Sequence, residues 1–88
     1  AASLKNLALF YFSQGEHSDS EFYIKEAIKI ATLRDNKEIL ANLIIFYSVL
    51  LQSMGKLGDA YEKAIFAYNY YEKTNDENNI AYLLNLLG

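Results

Sequence analysis

Apolar residues recur along this chain with the spacing of amphipathic helices. Between Leu4 and Phe12 they follow the i, i+3, i+4, i+7 pattern, which places them on one face of a helix. Similar spacing returns over residues 22–33, 37–54, 60–73 and 80–87. The pattern therefore predicts five helices and an all-α fold.

Glycine and clusters of polar residues separate the predicted helices. Proline is absent, and Gly15 and Gly55 lie where the first and third helices should end. The segments RDNK at 34–37 and TNDENN at 74–79 predict the other turns, with Asp35 or Asn36 able to cap the third helix. Connections this short predict that successive helices run antiparallel.

Two residue pairs have the spacing of a helix-capping box. These pairs are Ser18 with Glu21 and Asp59 with Glu62. In such a box the first side chain accepts a hydrogen bond from a backbone N–H in the first turn of the helix. We therefore expect the second and fourth helices to begin immediately after Ser18 and Asp59.

The chain repeats itself with an offset of forty residues. The clearest sign is the pair of segments SQGEHSD at 13–19 and SMGKLGD at 53–59. The identities at this offset are Ala1 with Ala41 and Ala81, Ser13 with Ser53, Gly15 with Gly55, Asp19 with Asp59, and Ala27 with Ala67. A period of this length is typical of stacked helical hairpins, or α-solenoids. We predict one domain with units at 1–40 and 41–80 and the start of a third at 81–88, and we expect it to be part of a longer chain.

Composition and charge bear on which partners and which location we expect for this chain. The net charge of −3 comes from interleaved acidic and basic residues, which does not favour nucleic-acid binding. The longest apolar tract, at 44–51, is too short to span a bilayer. Cysteine is absent, which favours a cytoplasmic location. We therefore expect neither nucleic acid nor a membrane among the partners.

No motif of an enzyme or a metal site is recognisable. His17 is the only histidine, and it falls in a predicted turn, where we expect it to be partly buried. The pair Gly55 and Gly58 lacks the Lys-Ser/Thr that completes a phosphate-binding loop. We predict a protein without catalytic activity, metal or cofactor.

The small and turn positions of the repeat resemble the tetratricopeptide motif. The first unit matches it at Leu4, Leu7, Ala8, Tyr11, Gly15, Ser20 and Ala27, and the second at Ile44, Tyr47, Ser48, Leu51, Gly55, Ala60 and Ala67. The third unit matches only at Leu84, Leu87 and Gly88. The period is 40 rather than the usual 34 or so. Longer units of this kind are similar to those of the peptide-sensing regulators of Gram-positive bacteria.

The resemblance implies an interaction module with a groove lined by the first helix of each unit. Carried over by position, the residues that would bind a protein or peptide partner are Lys5, Asn6, Leu9, Phe12, Asn42, Ile45, Phe46, Val49, Tyr82 and Asn85. The asparagines would hydrogen-bond a peptide backbone, and the aromatic residues would receive its side chains. Leu9 and Phe46 stand where the family's carboxylate clamp has asparagines, so we do not expect the clamp.

Two interpretations of this apolar surface stay open. Either a peptide covers the groove, or a neighbouring repeat or a second copy of the chain packs on it. The last segment, IAYLLNLL at 80–87, has leucines on every side, which predicts a possible homo-oligomer through the C-terminal helix.

Among the tyrosines, Tyr61 and Tyr68 lie seven apart and are predicted to be buried, whereas Tyr71 is predicted to be exposed.

Overall fold

The structure, a computed structural model, describes residues 4–87, with side chains from Leu4 to Asn85. Within this range the chain forms five helices: α1 (Leu4–Ser13), α2 (His17–Leu33), α3 (Lys37–Ser53), α4 (Leu57–Thr74) and α5 (Glu77–Leu87). The described residues contain no β-strand, and the predicted all-α class is confirmed. The predicted repeat positions Ala1, Leu87 and Gly88 lie outside the residues whose side chains are described.

The four turns between the helices share one backbone geometry. In each, a residue with a left-handed backbone follows the helix, with φ values of 78°, 54°, 81° and 60°. These residues are Gly15, Asp35, Gly55 and Asn75. The amide that follows each of them donates to a carbonyl oxygen five residues earlier, over 2.9 to 3.2 Å. This is the Schellman arrangement, and it returns every twenty residues.

The predicted capping boxes are wrong. Helix α2 begins at His17 and α4 at Leu57, and neither N-terminus has a side-chain cap. The tight turn starts α2 two residues and α4 three residues earlier than caps at Ser18 and Asp59 would, so these side chains lie inside the first turn. The predicted cap of α3 is confirmed, because the side chain of Asn36 accepts a hydrogen bond from the amide of Ile39 at 3.2 Å.

Each helix packs chiefly against the next one along the chain, and α3 is central. A first buried cluster joins α1, α2, one side of α3 and the start of α4: Ala8, Ile24, Ala31, Leu43, Tyr47, Leu50, Leu51 and Ala60. A second joins the other side of α3 to α4 and α5: Ala41, Ile44, Ile45, Ala64, Ala67, Tyr71 and Leu83. Helix α3 is therefore covered on two sides, as its apolar sequence requires.

Between Leu4 and Leu87, no helix has the length and apolar content needed to cross a membrane.

Helices α1 and α2 form a first hairpin, and α3 and α4 form a second. In each hairpin, a serine hydroxyl donates a hydrogen bond to a backbone carbonyl of the facing helix. Ser20 of α2 donates to the carbonyl oxygen of Ala8 at 2.7 Å. Ser48 of α3 donates to the carbonyl oxygen of Ala60 at 2.8 Å. Positions 48 and 60 lie forty residues after 8 and 20, so the two hairpins use the same pair of positions with serine and alanine exchanged. Small residues at both positions allow the close approach of the two helices.

The tyrosine predictions are wrong at two of three positions. Tyr61 is 57% exposed, whereas Tyr71 is 2% exposed. Tyr68 is partly buried against the second cluster. Tyr71 is buried because its side of α4 faces α3 and α5, and this arrangement follows from helix packing rather than from residue spacing within α4.

Candidate partner-binding groove

A groove of about 560 Å³ lies along α1, α3 and the start of α5. Its lining residues are Lys5, Leu9 and Phe12 from α1, Asn42, Ile45, Phe46 and Val49 from α3, and Asn78, Asn79 and Tyr82 from α5. This volume falls within the range of clefts that hold ligands in proteins, roughly 300–1,000 Å³. The three helices that form it are the first helices of the three predicted units.

The structure brings together eight of the ten residues that sequence and resemblance predicted to bind a partner. The eight are Lys5, Leu9, Phe12, Asn42, Ile45, Phe46, Val49 and Tyr82. Asn6 and Asn85 are exposed on α1 and α5 and are not among the residues that line the groove. Eight of the ten predicted residues therefore lie on one contiguous surface, and Asn6 and Asn85 do not belong to it.

The floor of the groove is apolar and anchored in the core. The rings of Phe12 and Phe46 meet edge to face with their centroids 5.7 Å apart, and both pack against the first buried cluster. Leu9 and Tyr82 stand higher on the walls and are 44% and 47% exposed. Among the lining residues described, Lys5 alone carries a charge. The groove thus has an apolar floor that packs on the core and apolar walls that are exposed.

Asn42 is held in place by a tyrosine of α4. The hydroxyl of Tyr71 donates to Oδ1 of Asn42 at 3.1 Å. Burial raises the pKa of Tyr71, with further contributions from Asp76, Tyr70 and Glu38. The hydroxyl therefore stays protonated at neutral pH and keeps the amide oxygen turned towards α4, so the NH₂ group of Asn42 is left to donate to another molecule.

Asn79 is held through its side-chain nitrogen, whereas Asn42 is held through its side-chain oxygen. The partner of Asn79 is the carboxylate that caps α5. Nδ2 of Asn79 donates to Oδ2 of Asp76 at 2.8 Å, and the backbone amide of Asn79 donates to Oδ1 of the same carboxylate at 3.3 Å. The bond from Nδ2 uses one N–H of the side-chain amide of Asn79 and leaves its carbonyl oxygen as an acceptor. Both asparagines line the groove, and among the hydrogen bonds of the described residues none uses the NH₂ group of Asn42 or the carbonyl oxygen of Asn79.

Sequence reasoning missed Asn78, Asn79 and Tyr71 as contributors to this site. The first two were assigned to a turn, because the segment TNDENN contains only turn-forming and polar residues. In the structure α5 begins at Glu77, three residues before the predicted start, so both asparagines are helical. The spacing of Asp76 and Asn79 could have predicted this earlier start. An aspartate at an N-cap accepts a hydrogen bond from the backbone amide three residues later, which here is that of Asn79.

His17 lies at the edge of this region. Its ring packs on Phe12 with 5.6 Å between ring centroids, and it is partly buried, as predicted. It is the first residue of α2 rather than part of the turn. In the part of the chain described, no group of three His, Asp or Glu side chains converges in a way that could hold a metal ion.

No family model, curated protein or solved structure matches this chain. The resemblance to the tetratricopeptide motif therefore stays a prediction from the residues named above. The functional interpretation rests on the groove itself.

Proposed function

We propose that this chain is a protein-interaction module whose groove binds an extended segment of a partner protein. The observation that carries the proposal is the pair of oriented amides, Asn42 and Asn79, beside an apolar floor. An extended backbone presents free N–H and C=O groups alternately, and a fixed donor with a fixed acceptor can bind one of each. The apolar floor would receive side chains of the same segment.

The same amides favour an extended segment over a helix. The backbone groups in the middle of a helix already hydrogen-bond to one another, so they are not free to bond to Asn42 or Asn79. A helix in this groove would leave the NH₂ group of Asn42 and the carbonyl oxygen of Asn79 without partners after water is displaced, which costs free energy for each buried group. An extended segment avoids this cost.

The proposal includes an α-solenoid architecture of the tetratricopeptide kind. It is supported by the row of helices in which each packs on the next, and by the turn geometry that returns with constant spacing. In such an architecture the first helices of successive units line one surface. Helices α1, α3 and α5 line the groove.

The test is a selection of binders from a phage-displayed library of random linear peptides. We expect enriched sequences with several apolar side chains, and loss of their binding when Leu9 is changed to glutamate. Leu9 is a suitable position because it is 44% exposed, so the charge can be tolerated in the free protein. Phe46→Glu is a weaker test, because Phe46 also packs against the core.

Leu33→Glu is the matched control. It places the same charge on a leucine that is 78% exposed on α2 and outside the groove, so peptide binding should be unchanged. The proposal fails if no peptide is enriched, or if the selected peptides bind the Leu9→Glu variant as well as the original chain. Binding that is lost in both variants would also contradict it, because the effect would then not be local to the groove.

A further inference from the structure

A second, polar pocket of about 370 Å³ adjoins the groove. It lies where the end of α4, the turn that follows and the first residues of α5 meet the start of α3. Asn42 and Asn79 line both cavities, so the pocket and the groove meet at these two side chains. We call this cavity the acidic pocket, and its lining residues are Glu38, Asn42, Tyr70, Tyr71, Thr74, Asp76 and Asn79.

The acidic pocket contains two carboxylates and no basic side chain. Glu38 is exposed and Asp76 is partly buried, and neither takes part in an ion pair among the described residues. All eight lysines and arginines of the sequence lie among those residues, and none of them lines the pocket. The negative charge of the pocket is therefore not balanced by a basic side chain of this chain.

The two carboxylates act on the same part of the pocket. Burial is the main cause of the raised pKa of Tyr71, and the charges of Asp76, Tyr70 and Glu38 add to it. The hydroxyl of Tyr71 donates to Asn42, which lines both cavities. Negative charge is therefore concentrated beside the side chain at which the groove and the pocket meet.

The other groups of the pocket favour an organic cation. Each carboxylate oxygen of Asp76 accepts one bond from Asn79 and keeps a lone pair for another donor. The ring of Tyr70 offers an aromatic surface for a cation or for the apolar stem of a long side chain. Within the described part of the chain, no three acidic or histidine side chains converge to hold a metal ion. The side chains of lysine and arginine combine a positive charge, several N–H donors and an apolar stem.

We infer that the segment bound in the groove carries a lysine or an arginine whose cationic group enters the acidic pocket. This inference rests on the proposed function and adds the chemistry of one residue of the partner. Successive side chains of an extended segment point to opposite sides. A basic residue can therefore enter the pocket while its neighbours in the segment contact the apolar floor.

The test uses the peptides selected from the random library, synthesised with a fluorophore and titrated by fluorescence anisotropy. We expect a lysine or arginine beside an apolar residue in the enriched sequences. Glu38→Gln should weaken their binding about two- to fivefold, as for an ion pair near the surface. Glu38→Lys should weaken it about tenfold or more, because like charges then face each other. A peptide whose basic residue is changed to glutamate should bind Glu38→Lys better than it binds the original chain.

Glu62→Lys is the matched control. It makes the same change of charge at an exposed residue of α4 that lines neither cavity. This control is needed because the net charge of −3 attracts basic peptides to the whole chain. We expect Glu62→Lys to bind the selected peptides nearly as well as the original chain does.

Two results would overturn the inference and leave the proposed function intact. The first is a set of enriched peptides that depend on Leu9 but contain no excess of basic residues. The second is unchanged affinity of these peptides for Glu38→Lys. Equal losses in Glu38→Lys and Glu62→Lys would also overturn the inference, because the attraction would then be general.

Two further results concern the occupant of the pocket. A dimer in sedimentation equilibrium that Glu38→Lys dissociates would overturn the inference, because the pocket would then bind a basic residue of a second copy of the chain. If the library yields no peptide at all, the inference fails together with the proposed function.

Discussion

Tyr47 links the two hairpins through a single polar contact. Its hydroxyl, on α3, donates to Oε2 of Glu21 on α2 at 3.2 Å, and Tyr47 is 9% exposed. The same carboxylate oxygen lies 3.7 Å from Nζ of Lys25. Nζ of Lys63, on α4, lies 5.9 Å from the centre of the Tyr47 ring. The aromatic ring thus contributes to the core while its hydroxyl meets a charged group at the surface.

The environment of Tyr47 predicts a specific dependence of stability on pH. Burial, followed by the charge of Glu21 and the hydrogen bond to it, raises the pKa of Tyr47 from 10.0 to about 12. Because folding raises the pKa, the stabilising contribution is fully present below pH 10 and is lost as the pH rises towards 12. At neutral pH, Tyr47→Phe should lower the free energy of unfolding by about 1 kcal/mol through the lost hydrogen bond.

The measurement is urea denaturation of the original chain and of Tyr47→Phe at neutral pH and at several pH values up to about 12. The two proteins differ only at position 47, so the difference between their free energies of unfolding is the informative quantity. We expect this difference to shrink as the pH passes through the interval from 10 to about 12. A difference that stays constant across the interval would show that Tyr47 does not titrate as its surroundings require.

At the scale of the helices and turns, the same turn geometry returns every twenty residues, which is half the forty-residue period of the sequence identities. The left-handed residue after each helix is glycine in the first and third turns but Asp35 and Asn75 in the second and fourth. Asparagine and aspartate are the non-glycine residues that adopt this conformation most readily. A Cβ at Gly15 or Gly55 would meet no atom within 4 Å, so the backbone conformation rather than lack of space favours glycine there.

The exchanged serine and alanine of the two hairpins predict a compensating pair of substitutions. Ser48→Ala removes the hydroxyl that bonds the carbonyl oxygen of Ala60, and we expect a loss of about 1 kcal/mol in the free energy of unfolding. Adding Ala60→Ser recreates the arrangement of the first hairpin, in which Ser20 donates to Ala8. The double variant should regain most of the loss in urea denaturation.

A double variant no more stable than Ser48→Ala would contradict this prediction. It would mean that the hydroxyl at position 60 cannot reach the carbonyl of residue 48 and that the two hairpins differ in their helix separation. Ser13→Ala is a suitable control, because Ser13 is exposed and bonds only within its own helix, to the carbonyl oxygen of Phe10. Its effect should be small.

At the scale of the whole molecule, burial is concentrated in the middle of the row of helices. Eight residues of α3 are buried, whereas α1 buries only Ala8 among its ten. Since each helix packs chiefly on its neighbours, the described chain has no single centre to which every helix contributes. Such structures open locally from their ends, because each terminal helix has a neighbour on one side only.

Amide hydrogen exchange should therefore proceed in a graded order. We expect the amides of α3 to exchange most slowly, those of α2 and α4 at intermediate rates, and those of α1 and α5 fastest. Hydrogen–deuterium exchange with mass spectrometry of peptides from each helix measures this order. Exchange of all five helices at one common rate would instead indicate a single cooperative unit.

The sequence by itself determined the features that depend on local spacing. Helix periodicity, glycine at positions 15 and 55 and the repeat of forty residues predicted five helices, and the positional match to a known motif predicted eight residues of the groove. These predictions succeed because the side of a helix on which a residue lies depends only on its position along that helix. That a partner binds the groove stays a prediction.

Only the tertiary structure decided which polar groups meet and which tyrosine is buried. The bonds from Tyr71 to Asn42 and from Tyr47 to Glu21 join residues 29 and 26 positions apart. A hydrogen bond forms only within a few tenths of an ångström of its ideal length, and no pattern along the chain specifies the placement of one helix on another to that accuracy. The orientation of Asn42, on which the proposed function depends, was therefore decided by the packing of α4 against α3.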